Sequence, residues 1–190
     1  MERDEKKMFI RAFIAVAPPE EVLDAMEIFL FRLRPMSDYK WVNRSQLHLT
    51  IRFLGEISPE VFDGIKIRLE NVRIDPFRIS LDYSGAFPGY SRTKVLWISG
   101  KTGSEELKRL ADQTEQIAIS AGLEPEKKKF SPHLTIARTR TECNIPEKLI
   151  QAMKDTPSFS WECKDFVLMQ SQLTPRGPIY TMAKRYLLQK

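Results

Sequence analysis

"LHLTIRFLGE", at residues 47–56, contains the first of two copies of the tetrapeptide HLTI. The second copy lies at residues 133–136, and the only two histidines of the chain, His48 and His133, open the two copies. At average composition, two histidines share their next three residues in roughly one chain in a few thousand. The repeat therefore indicates either an internal duplication retained for packing or one site assembled from two halves.

If HLTI forms a β-strand, its side chains divide between two faces, because successive side chains of a strand point to opposite sides. As a strand, HLTI places His and Thr on one face and Leu and Ile on the other. Packing explains the two apolar pairs but gives no reason to retain an outward His and Thr. The sequence therefore predicts two strands that bring His48, Thr50, His133 and Thr135 to one cleft.

Helical and strand-like segments alternate along the chain, with a similar outline in its two halves. Apolar spacing and end signals predict helices over residues 18–34, 58–72, 103–123 and 145–155. The same reasoning predicts strand material over residues 8–17, 41–55, 77–87, 94–100, 130–140, 158–174 and 179–189. This alternation, with HLTI on a strand in both halves, predicts an α+β fold of two pseudo-symmetric lobes.

Composition and charge narrow the class of protein. The chain has 190 residues, enough to bury a core without a metal or a disulfide, and its net charge of +5 suits RNA as well as many unrelated enzymes. Arg11 interrupts the first apolar stretch, which is too short to span a membrane. Cys143 and Cys163 lack the spacing of a zinc or redox pair. We expect a cytoplasmic protein that does not enter a membrane.

Two His–Thr pairs fit chemistry at phosphorus. A neutral imidazole accepts a proton from an attacking water, while a protonated imidazole gives one to the leaving oxygen. The unperturbed pKa of histidine, about 6.5, allows both states near neutral pH. Hydroxyl groups hold the oxygens on which charge develops. Two histidines without a third ligand make a poor zinc site, so the motif predicts a metal-independent reaction without a cofactor.

The sequence resembles the two-histidine (2H) phosphoesterases, which carry paired H-x-T-x motifs, and within them the RNA 2′,3′-cyclic phosphodiesterases, also described as 2′-5′ RNA ligase-like. The resemblance covers nearly the whole chain, and its segments follow the family's order. They are RAFIAV at 11–16, LHLTIRFLGE at 47–56, FPGYSRTKVLW at 87–97, FSPHLTIAR at 130–138 and SQLTPRGPIY at 171–180.

This resemblance implies one bilobal catalytic domain over residues 1–190. Each of its two pseudo-symmetric lobes has an antiparallel sheet with flanking helices. Each lobe contributes one motif, His48–Ile51 or His133–Ile136, to an active-site cleft between the lobes. The partners implied are RNA ends with a 2′,3′-cyclic phosphate, or cyclic nucleotides. We expect the protein to be a monomer.

The implied reaction hydrolyses the terminal cyclic phosphate to a 2′-phosphate, with a reverse direction that joins RNA through a 2′-5′ linkage. Carried over to this chain, the family's roles make His48 the proton donor to the leaving O3′ and His133 the proton acceptor from water. Thr50 and Thr135 bind the phosphate oxygens. The symmetric motifs alone do not decide which histidine is the acid.

Arg138 stands where many relatives carry an arginine that helps to hold phosphate. Strict alternation places its side chain opposite to that of His133, so either the strand bulges after Ile136 or Arg138 is structural. By the same parity, Arg52 is expected to face the cleft beside His48.

Four aromatic residues are candidates for stacking on a nucleobase, with core packing as the alternative for each: Phe87, Tyr90, Phe130 and Tyr180.

Two other readings of the sequence stay open. The same site serves a different substrate in other branches of the superfamily, such as ADP-ribose cyclic phosphate or 2′-5′ oligonucleotides. A non-catalytic RNA-binding module would use the basic surface and the aromatic residues without chemistry, and its binding would be sensitive to salt.

Overall fold

The computed structural model of the protein describes residues 9–175 and 177–190. Met8, at the start of the predicted first strand, and Arg176, in the predicted turn before the last strand, lie outside these ranges. The described strands are β1 (Ile10–Val16), β2 (Lys40–Trp41), β3 (Leu49–Ile57), β4 (Phe77–Leu81), β5 (Tyr83–Phe87), β6 (Thr93–Ser99), β7 (Leu134–Cys143), β8 (Phe159–Cys163), β9 (Asp165–Thr174) and β10 (Gly177–Leu187). The described α-helices are α1 (Glu20–Leu33), α2 (Pro59–Arg68), α3 (Ser104–Ser120) and α4 (Glu147–Lys154).

One large antiparallel sheet organises the molecule. Its strands follow the order β10-β9-β1-β3-β7-β6-β5, with β2 paired to β7 beside this path, while β4 and β8 form a separate two-stranded sheet. Within the described residues, the register pairs β3 with β7 only at Leu49 and Leu134. The large sheet therefore consists of two parts that meet at the two HLTI motifs, which confirms the predicted α+β fold of two lobes.

The lobes do not coincide with the halves of the sequence. The first lobe combines the early strands β1 and β3 with the C-terminal hairpin β9-β10, and the second combines β5, β6 and β7. Helices α2 and α3 contact β1 and β3, whereas α4 contacts β5 and α1 contacts α4. Strand β1 pairs with β3 on one edge and with β9, from the C-terminal part of the chain, on the other.

The apolar positions of both motifs lie in the core between the sheet and the helices. Leu49, Ile51, Leu134 and Ile136 are all buried, as alternation predicts. Residues of both lobes belong to one continuous hydrophobic cluster. No helix within residues 9–175 and 177–190 is long and apolar enough to cross a membrane.

The predicted strand over residues 41–55 is interrupted, because β2 ends at Trp41, a 3-10 helix spans Arg44–Gln46 and β3 begins at Leu49. Two further predicted strand regions each divide into two strands. Residues 77–87 break at Asp82, and residues 158–174 break at Lys164. In both cases the first piece pairs in the small sheet and the second continues into the large one. The sequence hides these breaks because neither contains a glycine or a proline.

A β-bulge follows HLTI in both lobes. In β3, Thr50 lies opposite Ala15 and Arg52 lies opposite Ile14, so Ile51 is an additional residue. The bulge reverses the alternation of side chains from that point onward.

The second lobe repeats this irregularity at the same position of the motif. In β7, Thr135 lies opposite Trp97 and Ala137 lies opposite Leu96, so Ile136 is the additional residue. The consecutive burial of Ile136 and Ala137 agrees with a bulge between them.

Candidate active site

The two histidines stand next to the residue pair that joins the lobes. Leu49 pairs with Leu134 in antiparallel register. Continued by one residue in each direction, this register places His48 across from Thr135 and His133 across from Thr50. Each histidine therefore lies across from the threonine of the other motif, and the site has approximate two-fold symmetry.

Both imidazole rings are oriented by the same kind of hydrogen bond. The Nδ1 atom of His48 lies 2.7 Å from the carbonyl oxygen of Gln46, and that of His133 lies 2.8 Å from the carbonyl oxygen of Ser131. A carbonyl only accepts, so Nδ1 carries the hydrogen and Nε2 is left for proton transfer. The Nε2 atom of His48 also lies 3.0 Å from Oγ1 of Thr50.

The surroundings lower the pKa of both histidines. Burial is the main cause at His48 and brings its pKa to about 4, against the opposing bond to Gln46 and with a further lowering by the charges of Arg138 and His133. Burial also lowers the pKa of His133, with the bond to Ser131 opposing and Arg138 adding to the effect. Both rings are therefore neutral at pH 7 in the free protein.

A cavity of about 470 Å³ opens beside this pair of strands. His48, Thr50 and Thr135 line it, whereas His133 is not among its lining residues in the described part of the chain. The volume is typical of a small-ligand pocket. The cavity therefore lies on the His48 side of the site.

The cavity is cationic and partly aromatic. Arg11, Lys40 and Arg138 contribute positive charge, and Trp41, Phe53 and Tyr180 contribute rings. No carboxylate of the described residues is among its lining. Such a lining suits an anion attached to a flat ring system.

The bulge in β7 decides the position of Arg138. Because Ile136 is additional, the side chain of Arg138 returns to the face of Thr135 and lines the cavity. Of the two explanations offered by the sequence, a bulge after Ile136 is therefore correct.

The bulge in β3 has the opposite consequence for Arg52, and the prediction that it faces the cleft is wrong. Its side chain is buried on the helix side, where it forms an ion pair with Glu115 of α3. It also donates hydrogen bonds to the carbonyl oxygens of Phe53, at 2.6 Å, and Glu124, at 2.7 Å. Arg52 is thus a structural residue.

Residues 18–174 match the family described as the 2′-5′ RNA ligase superfamily. The chain belongs to this superfamily. It is 42% identical over 143 residues to an Aeropyrum pernix protein named RNA 2′,3′-cyclic phosphodiesterase, covering 74% of this chain and 81% of that protein. An Archaeoglobus fulgidus protein of the same name is 34% identical and aligns with 90% of this chain and 96% of its own length.

Solved structures of the superfamily share the fold. The crystal structure of Escherichia coli LigT in its apo form aligns with a TM-score of 0.80 and 26% identity, covering 96% of this chain and 99% of LigT. The predicted family is therefore confirmed by sequence and by fold.

Phe53 belongs to the candidate site although it was not predicted from the sequence. It is the fifth residue after His48, as Arg138 is the fifth after His133, and it lines the cavity with 53% of its surface exposed. Phe53 is followed by a second bulge at Leu54. Gly55 then has a φ of +74°, a conformation that favours glycine. The F-L-G-E segment could have indicated this position, because a glycine inside a strand is typical of a bulge.

The structure separates two of the four aromatic candidates. Tyr180 lines the cavity, and its ring lies 5.5 Å from that of His48 in a perpendicular arrangement. Burial raises the pKa of its hydroxyl, against the charges of Arg138 and Arg11. Phe130 instead packs against the hydrophobic core and is not among the residues lining the cavity. The structure therefore gives no support to Phe130 as a substrate-binding residue.

Proposed function

We propose that this protein hydrolyses the terminal 2′,3′-cyclic phosphate of RNA to a 2′-phosphate. The proposal rests on the arrangement of His48 and His133 beside a cationic cavity. Each ring is held through Nδ1, which leaves Nε2 for proton transfer, and Nε2 of His48 is in contact with the hydroxyl of Thr50. The relatives from Aeropyrum pernix and Archaeoglobus fulgidus bear the name of this activity.

The phosphate of the substrate binds at the cationic end of the site. The charge of Arg138 and the hydroxyls of Thr50 and Thr135 hold the non-bridging oxygens, where negative charge develops in the transition state. The nucleoside enters the cavity, where its base meets Tyr180 and Phe53.

The position of the cavity supports His48 as the acid. Since the nucleoside lies on the His48 side, its O3′ is directed toward His48, and Nε2 of His48 protonates O3′ as the P–O3′ bond breaks. The attacking water approaches from the opposite side, in line with the leaving oxygen. His133 accepts its proton through Nε2.

The lowered pKa of His48 implies that substrate brings the catalytic proton into place. A pKa of about 4 leaves the free ring neutral, so it is protonated only once a neighbouring negative charge favours the imidazolium. The cyclic phosphate supplies that charge. Binding is therefore coupled to uptake of a proton from the solvent.

Product analysis tests the proposed function. The purified protein is incubated with 2′,3′-cyclic AMP and with an RNA oligomer that ends in a cyclic phosphate, and we expect the 2′-phosphate as the product. ADP-ribose cyclic phosphate and a 2′-5′ oligonucleotide complete the panel, since they belong to the alternative substrates. A 3′-phosphate product, or faster turnover of either alternative, contradicts the proposal.

The same experiment distinguishes catalysis from binding alone. A non-catalytic RNA-binding module binds RNA without a cyclic phosphate and retains that binding when His48 or His133 is replaced by alanine. We expect each replacement to lower turnover of 2′,3′-cyclic AMP by about 10²- to 10⁴-fold.

We also propose that the enzyme is one bilobal catalytic domain that acts as a cytoplasmic monomer. One hydrophobic cluster joins the two lobes. Cys143 and Cys163 are both unpaired, which favours a reducing compartment. Light scattering during size exclusion tests the monomer, for which a mass near 22.1 kDa is expected.

A further inference from the structure

Three aromatic rings lie on the side of the site opposite to the cavity. They belong to Tyr83 and Phe87 of β5 and to Trp97 of β6, and we call them the aromatic shelf. Trp97 lies opposite Thr135 in the register of β6 and β7, and Gly85 lies opposite Trp97 in that of β5 and β6. Residues directly opposite share a face of the sheet, so the shelf lies on the same face as Thr135.

The shelf is a packed surface rather than three separate side chains. The ring centroids of Phe87 and Trp97 are 5.0 Å apart, and those of Tyr83 and Trp97 are 5.9 Å apart. A Cβ atom at Gly85 would lie 2.4 Å from the Trp97 ring, so glycine allows this ring to rest on the backbone of β5. Tyr83 and Phe87 remain 44% and 37% exposed.

The shelf is continuous with the catalytic residues. The ring of Phe87 lies 5.2 Å from that of His133 at an interplanar angle of 88°. In the order of the sheet, the shelf occupies β6 and β5 on one side of β7, whereas most of the cavity residues come from strands on the other side. The site therefore has a cavity beside His48 and an exposed aromatic surface beside His133.

We propose that the aromatic shelf binds the base of a second nucleotide, whose 5′-hydroxyl takes the place of water at His133. The inference rests on the proposed function, in which the cyclic phosphate nucleoside occupies the cavity. An in-line displacement requires the entering group on the side opposite to O3′, and that side carries the shelf.

The step is balanced without a further reactant. The 5′-oxygen attacks phosphorus, the P–O5′ bond forms and the P–O3′ bond breaks. The 5′-hydroxyl proton passes to Nε2 of His133, and Nε2 of His48 gives its proton to O3′. The product carries a 2′-5′ phosphodiester linkage.

Stacking is the interaction that this surface offers. A nucleobase lying on exposed rings gains affinity with little preference among bases, because each base has a flat aromatic face. The shelf is therefore expected to accept single-stranded ends of varied sequence.

The test uses 2′,3′-cyclic AMP as the donor and an adenylyl dinucleotide with a free 5′-hydroxyl as the acceptor. Chromatography separates the 2′-5′-linked trinucleotide from the 2′-AMP formed by hydrolysis. For the wild-type protein we expect the rate of joining to saturate with the dinucleotide. For Tyr83→Ala we expect the half-saturating concentration to rise by about 5- to 100-fold.

Two control variants separate stacking from other effects. Tyr83→Phe keeps the ring and is expected to behave as the wild-type protein does. Phe31→Ala removes an aromatic ring that is 72% exposed on α1 and is expected to leave the acceptor concentration dependence unchanged.

The outcomes distinguish the shelf from the proposed function. Hydrolysis by the wild-type protein without any saturable joining overturns the shelf, as does an unchanged half-saturating concentration in Tyr83→Ala. Absence of hydrolysis by the wild-type protein without acceptor overturns the proposed function, and the shelf with it.

Discussion

The two HLTI motifs are identical in sequence and differ in what surrounds them. Each begins with a histidine bonded to a backbone carbonyl two residues earlier, and each is followed by a bulge. His48 lines a cavity and has a pKa of about 4, whereas His133 lies against the exposed ring of Phe87. Two identical motifs therefore place their histidines in different surroundings, and the roles that we propose for His48 and His133 follow from this difference.

The residues after the motifs show the same division. At the buried position beyond each bulge stands Arg52 in the first lobe and Ala137 in the second. At the next position, which lines the cavity, stands Phe53 in the first lobe and Arg138 in the second. At this position, one lobe therefore contributes a positive charge to the cavity and the other contributes an aromatic ring.

The largest expected effect comes from removing either histidine, because both are needed in one turnover. His48→Ala and His133→Ala are each expected to lower kcat for 2′,3′-cyclic AMP by about 10²- to 10⁴-fold. Steady-state kinetics measures the loss, and thermal unfolding checks that the fold survives. If either variant retained more than a tenth of the wild-type kcat, that histidine would not be required for turnover, and the two-histidine mechanism would be contradicted.

Arg138 and Phe53 occupy equivalent positions, and their removal is expected to act on different quantities. Arg138→Ala removes a charge from the transition state and is expected to lower kcat/KM by about 10²- to 10³-fold. Phe53→Ala is expected to act mainly on KM, by about 5- to 100-fold, since stacking is lost in the ground state as well. Equal effects of the two variants on kcat would contradict this division.

Arg52 is expected to affect stability rather than chemistry. Arg52→Met removes the guanidinium that donates to Oε2 of Glu115 and to the carbonyl oxygen of Glu124, which is expected to lower the free energy of unfolding by about 1–3 kcal/mol. Urea unfolding measures the change. Arg109→Met is the matched control, since it removes an exposed pair with Glu106 and is expected to cost at most about 1 kcal/mol.

The smallest expected effect is a shift in the pH at which kcat/KM is maximal. Both histidine pKa values lie below the ordinary 6.5, so the bell-shaped profile of kcat/KM is expected to have its maximum below pH 6.5. The charge of Arg138 lowers both pKa values, and Arg138→Gln is therefore expected to move the maximum to higher pH. A maximum above pH 7 in the wild-type protein, or no movement in the variant, would contradict the electrostatic account.

The sequence predicted the faces of the motifs because alternation within a strand is a local property. His48, Thr50 and Thr135 face the cleft, and their apolar neighbours are buried. The orientations of Arg52 and Arg138 could not be predicted in this way, because an additional residue in a strand is defined by the register of its partner.

The remaining differences between prediction and structure also come from long-range packing. Phe130 packs against the hydrophobic core, which is one of the two alternatives given by the sequence, and nothing in the adjacent sequence decides between that position and a place in the cavity. The breaks at Asp82 and Lys164 arise because successive strands pair in different sheets. Both depend on partners that are distant in sequence.

Replacing the leaving oxygen of the substrate tests directly whether His48 is the acid and His133 the base. In a 2′,3′-cyclic substrate with sulfur at the 3′ position, the leaving thiolate needs no proton from the enzyme, because a thiol is far more acidic than an alcohol. We expect this substrate to restore turnover by His48→Ala to near the wild-type rate and to leave His133→Ala inactive. Restoration of His133→Ala instead would contradict the assignment.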